Sequence, residues 1–193
     1  MEQGIASWYG IPFDGRRASD GEIFDMRLPV AAHRTLPFGS IVRVTNLNNG
    51  LQTEVRIIDR GPFVAGRIID LSLAAARILN LVGTGTAPVR IELLSSPAPL
   101  AGDFAVQVGA FAQRENAERL QIRLSTRYMP IMIDEEDLPS GHFFRVRVGR
   151  VPTQEAAQRL AAALAGEGGL QTTFVVRLDK TGCCAASPGG PLP

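Results

Sequence analysis

The chain has 193 residues, 45% hydrophobic and 20% charged, a globular composition with room for one large or two small domains that each bury a core. The net charge is +1 with acids and bases interspersed, so the basic footprint of a nucleic-acid-binding protein is missing. No apolar run reaches membrane-spanning length.

The opening MEQGIASWYG has neither a basic region nor an apolar core, so no export signal is expected within the sequence as written. GIASWYG, SIVRVTNL, LQTEVRIIDRG and PVRIELL read as strands, and NNG at residues 48–50 supplies a hairpin turn between two of them. DLSLAAARILNLVG is the one clear helix of the first half, with Asp70 or Ser72 as N-cap and Gly83 just past its end. A strand-rich unit over residues 1–94 with a single helix suggests a small barrel.

Polar residues suited to catalysis gather around Glu22 in ASDGEIFD, His33 in AAHRTLPFG and Asp59 in IIDRGPF, all at turns or strand ends. Asp59 follows Val55, Ile57 and Ile58 and precedes Phe63, and such neighbours partly desolvate a carboxyl group and favour the protonated form of a general acid. The plainer readings are a turn-capping aspartate, a hydrogen-bonded structural histidine and a surface glutamate. No Gly-x-Ser-x-Gly elbow, phosphate loop or His-Glu-x-x-His helix occurs, which disfavours serine-nucleophile and zinc chemistry.

SSPAPLAG, residues 95–102, is a short linker. Beyond it, FAVQVGAFAQRENAERL and FFRVRVGRVPTQEAAQRL repeat at one offset, matching Val106 with Val146, Val108 with Val148, Gly109 with Gly149 and Leu120 with Leu160. Each copy is a strand, a turn and a helix, and YMPIMIDE and LQTTFVVRL add a strand after each helix. The order βαββαβ implies a four-stranded antiparallel sheet with both helices on one face, over residues 103–180. Alternation then sends Gln107, Phe143, Arg145 and Arg147 to the helix-free face, either a solvated surface or a ligand platform. Cys183 and Cys184 lie in the tail 181–193, which reads as disordered, and neighbouring cysteines make neither an unstrained disulfide nor a complete metal site.

ASWYG, GRRASDGEIFDM, AAHRTLPFGSIVRVTNLNNG, VRIIDRGPFVAGRIIDLSLAAA and GTAPVRIELL, in that order, resemble the rare lipoprotein A (RlpA) family of septal lytic transglycosylases built on a double-psi β-barrel. The repeat in the second half looks like a SPOR domain, which in that family binds glycan strands stripped of stem peptides. The resemblance implies cleavage of MurNAc–GlcNAc β-1,4 bonds in such peptide-denuded peptidoglycan with formation of 1,6-anhydroMurNAc, and no cofactor. On matching positions, Asp59 is the catalytic acid and base and Glu22 and His33 are further cleft residues. Arg60 or Arg67 holds the acid or the sugar, while Asp70 caps the helix. Gln107, Phe143, Arg145 and Val176 match the glycan-contacting face. Periplasmic or outer-membrane location at the septum and divisome partners are implied in the same way. A glycan-binding scaffold without turnover, as in expansin-like barrels, is the alternative.

Overall fold

A computed structural model of the chain describes residues 1–167, 170 and 172–179; the tail with Cys183 and Cys184 lies outside the described residues. The first unit contains β1 (Glu2–Tyr9), β2 (Val30–His33), β3 (Ile41–Asn46), β4 (Gln52–Asp59), β5 (Arg67–Ser72), α1 (Leu73–Ile78) and β6 (Thr86–Ser95). Its strands close into a barrel in the order β1-β5-β2-β4-β3-β6. The pairs β1/β5 and β2/β4 are parallel, whereas β2/β5, β3/β4, β3/β6 and β1/β6 are antiparallel.

Period-two alternation builds the barrel interior. Val42 and Val44 of β3 and Val55 and Ile57 of β4 point into a core shared with Ile69, Leu71 and Val89, while Arg43 stays outside against Glu54 and Glu92. Alternation stops at the end of β4. Ile57 enters the barrel core, and the adjacent Ile58 enters a separate cluster with Ala18, Phe24 and Val30 beneath the 10–29 loop. Burying one isoleucine is worth about 1.5–3 kcal/mol, so this second cluster anchors that loop over the strand end that carries Asp59.

The helix expected over residues 70–83 is shorter. RIIDLS is taken up as β5 because it completes the barrel between β1 and β2, a demand from distant strands that overrides local helical spacing. Ser72, one of the two expected caps, caps α1 by accepting from the Ala75 N–H, and Asp70, the cap the resemblance implied, instead receives hydrogen bonds from Arg67 and Ser7. The helix ends before Asn80, which has a positive φ of 53°, rather than at Gly83. Asn46 and Asn49 of the β3–β4 hairpin donate to the Leu79 carbonyl at 2.9 and 3.1 Å and so satisfy this end.

The second unit follows as β7 (Phe104–Phe111), α2 (Arg114–Ser125), β8 (Ile131–Leu138), β9 (Gly141–Val151), α3 (Gln154–Ala165) and β10 (Phe174–Arg177), with sheet order β10-β7-β9-β8 and every pair antiparallel. Val106, Val108, Val146 and Val148 meet Ala117, Leu120, Leu124 and Leu164 of the two helices on one face. The repeated glycines explain how each helix closes on its strand. A Cβ on Gly149 would run into Leu160 Cδ2, and one on Gly109 would meet the Phe111 ring at 2.7 Å and Leu120 Cδ2 at 3.3 Å. Gly149 also has φ +79°, a conformation that side chains disfavour. Gly149→Ala is expected to destabilise the second unit by about 1–3 kcal/mol through overpacking and backbone strain, read as a lower urea midpoint.

Candidate active site

Asp59 ends β4, opposite Ala32 of β2, and the chain then turns through Arg60, Gly61 and Pro62. Gly61 takes φ +151°, which leaves the turn little tolerance for a side chain. Arg34 clamps the turn by donating to the Pro62 carbonyl at 2.9 Å and to the Arg67 carbonyl at 2.7 Å.

Every hydrogen bond that Asp59 receives from the described residues converges on Oδ1. The Ser19 N–H donates at 3.1 Å, the Ser19 hydroxyl makes a short bond, and the Arg60 N–H donates at 2.8 Å. These bonds fix the carboxyl plane and leave Oδ2 for another partner. Asp59 takes part in no ion pair among the described residues.

Ser19 is held by the loop fold around it. Ala18 and Phe24 are sunk in the cluster under that loop, the Asp20 N–H donates to the Ile58 carbonyl at 3.1 Å, and Arg17 bridges to Ile23. Glu22 forms a two-pronged pair with Arg56 at 2.8 and 2.7 Å, which lowers the pKa of its carboxyl group and keeps it ionised. Asp20 lies 3.9 Å from the same Arg56, yet burial raises the pKa of its carboxyl group.

His33 is buried, with both ring nitrogens engaged. Nδ1 accepts from the Thr35 and Leu36 N–H groups at 3.2 and 3.1 Å, leaving the proton on Nε2, which faces Glu2 Oε2 at 3.3 Å. Burial lowers its pKa despite Glu2, so the neutral ring is favoured. The two arginines expected to hold the acid or the sugar have other partners. Arg67 binds Asp70 at 2.6 Å, while Arg60 stacks over Phe38 at 3.7 Å, donates to the His33 carbonyl at 2.9 Å and grips Asp179 of the second unit at 2.6 and 2.7 Å. Only the backbone of Arg60 serves Asp59.

Sequence reasoning missed Ser19, Arg56 and Tyr9. Tyr9 stacks on Phe24 at 4.4 Å, and its hydroxyl is buried without a hydrogen-bond partner among the described residues. Burial, followed by the charges of Asp59, Asp70 and Asp20, raises its pKa well above the usual phenol value. No spacing rule links Tyr9 to Asp59. The aromatic ASWYG motif was the only available signal.

On the sheet of the second unit, Gln107, Arg147, Arg145 and Phe143 share the helix-free face with Phe174 and Val176 of β10. Arg145 binds Glu136 at 2.5 Å and Arg147 binds Asp134 at 3.0 Å. This face is covered. Gln107 is 4% exposed, Arg145 6% and Val176 1%, and the Arg145 guanidinium lies 4.1 Å from the Phe63 ring centroid of the barrel turn.

Residues 1–91 match the family described as lytic transglycolase, and residues 100–177 match the SPOR domain family. The chain belongs to the RlpA family. Among its relatives is an RlpA named endolytic peptidoglycan transglycosylase from Helicobacter pylori, 38% identical over 164 residues that cover 85% of this chain and 49% of that one. Relatives of the same name from Campylobacter jejuni and Pseudomonas aeruginosa are 40% and 37% identical, covering 64% and 84% of this chain and 54% and 55% of their own. The chain thus spans about half the length of the RlpA relatives it matches.

The barrel's response to pH follows from His33. A histidine whose pKa is lowered on folding contributes stability that is fully present above its unfolded pKa, about 6.5, and lost as the pH falls below that value. The stability advantage of the native chain over His33→Gln is expected to shrink between pH 7.5 and 5, read by urea unfolding at each pH.

Proposed function

We propose that this chain carries the lytic transglycosylase activity named for its relatives, cleaving MurNAc–GlcNAc β-1,4 bonds in glycan strands stripped of stem peptides. The single observation that carries this reading is the Asp59 carboxyl group, oriented through Oδ1 and unpaired at Oδ2.

Protonated Asp59 donates its proton to the glycosidic oxygen as the C1–O bond breaks. The C6 hydroxyl oxygen of the same muramoyl residue attacks C1, and the Asp59 carboxylate takes up the hydroxyl proton. The product is 1,6-anhydroMurNAc, no water is consumed, and the acid returns to its starting form. A single carboxyl group suffices because the nucleophile is internal, whereas a hydrolase needs a second group to activate water or form a covalent intermediate.

The other candidates act on Asp59 indirectly in this reading. Glu22 holds the 18–23 loop through Arg56 and so sets Ser19 against the acid. His33 positions the strand end through its carbonyl bond to Arg60. Arg67 and Asp70 brace the far side of the turn. Gln107, Phe143, Arg145 and Val176 form the glycan-binding face, where an aromatic ring stacks on sugar C–H groups and a guanidinium binds hydroxyl or carboxylate oxygens. The substrate places the protein on the periplasmic side of the cell envelope, at the septum or outer membrane and near division proteins. No helix among the described residues is long and apolar enough to cross a membrane.

Peptide-free glycan strands incubated with the chain should yield oligosaccharides ending in 1,6-anhydroMurNAc by mass spectrometry. Asp59→Asn is expected to abolish that product, and undiminished product would remove Asp59 from the mechanism. Ser19→Ala removes one hydrogen bond to the acid and is expected to lower kcat on the order of tenfold, with KM little changed.

A further inference from the structure

The barrel turn that carries the acid and the sheet face of the second unit cover each other. Phe63 meets Phe174 edge-on, with centroids 5.9 Å apart, and lies under the Arg145 guanidinium at 4.1 Å. Arg60 closes on Asp179 through two short bonds, 2.6 and 2.7 Å. The outward N–H of Arg177 on edge strand β10 donates to the Arg34 carbonyl of the barrel at 2.9 Å. The Arg177 guanidinium gathers the Pro99, Leu100 and Ala101 carbonyls of the linker and stiffens the hinge between the two units.

The sheet face that meets the barrel carries polar defects. Gln107 Oε1 and Arg147 Nε are buried with no hydrogen-bond partner among the described residues. Gln107 lines a groove of about 660 Å³ whose walls include Phe63 and Phe174. Unmade bonds of this kind oppose a contact. A polyhydroxylated strand offers many donors and acceptors to satisfy them, whereas the Phe63 ring offers none.

We propose that the Arg60–Phe63 turn is a built-in competitor for the glycan-binding face, so that a denuded glycan strand binds there only by displacing the barrel. The idea rests on the glycan-binding reading of that face and adds that the chain rests in a closed state. Charge acts across the contact with mixed sign, Asp59 attracting Arg145 and repelling Glu136, although burial is the larger influence on each. A ligand shifts such an equilibrium only by preferring one state, and here the closed state keeps Gln107, Arg145 and Val176 buried. The apparent affinity is therefore the intrinsic affinity reduced by the open fraction.

The test uses the whole chain with Asp59→Asn, so that strands are bound but not cut, and measures its affinity for purified peptide-free glycan strands. Adding Asp179→Asn or Phe63→Ala breaks the contact from residues outside the glycan-binding set. Each is expected to tighten binding on the order of tenfold, and Asp179→Glu to restore the native value. Hydrogen exchange gives the second readout: protection of the Arg177 amide should fall when glycan is added. Unchanged or weaker binding in both variants overturns the proposal. Retained Arg177 protection in the glycan complex also overturns it, in favour of one strand lying across both units. Absence of binding in every variant overturns the proposal and the glycan-binding reading together, while anhydro product from the native chain independently shows whether the catalytic reading stands.

Discussion

Three hydrogen bonds to one carboxylate oxygen of Asp59 organise the end of the barrel where β4 stops. Two of them come from Ser19, a residue 40 positions earlier in the chain, and the third from the next backbone N–H. For the first two to form, the 10–29 loop must lie on the end of β4, and the burial of Ile58 against Ala18 and Phe24 holds it there. Hydrophobic burial thus supplies the free energy, and the hydrogen bonds convert it into a fixed direction for one oxygen.

The same turn has a second set of duties. Arg34 and Arg60 bind backbone carbonyls beneath it, at Pro62 and His33 respectively, while the Arg60 head reaches into the second unit and Phe63 projects onto its sheet. A guanidinium as buried as that of Arg60 is tolerated because its donors reach Asp179 and the His33 carbonyl and its flat face rests on Phe38. His33 belongs to this scaffold. Its ring is spent on two backbone donors and Glu2, and its carbonyl supports Arg60.

The sheet of the second unit shows how a repeat can be symmetric in packing and asymmetric in use. Gly109 and Gly149 each admit a leucine from the following helix, so the core face treats the two copies alike. The opposite face does not. Copy one presents Gln107 there and copy two presents Arg145 and Arg147, which find acidic partners on β8.

Local pattern in the amino-acid sequence was sufficient for the barrel strands β1, β3, β4 and β6, the Asn-Asn-Gly hairpin, the βαββαβ order and the face assignment of Gln107 and Arg145, because side-chain direction along a strand depends only on parity. The position of Asp59 at a strand end was legible for the same reason. Tertiary structure alone decided that RIIDLS is a strand, that Ser72 rather than Asp70 caps α1, and that Arg60 turns from Asp59 toward Asp179. Each depends on a partner brought near by the fold: β2 for the strand, Ser7 and Arg67 for Asp70, and a carboxylate 119 positions away for Arg60. Burial of the sheet face against Phe63 belongs to the same class, since alternation tells which side chains share a surface and carries no information about what lies on top of it.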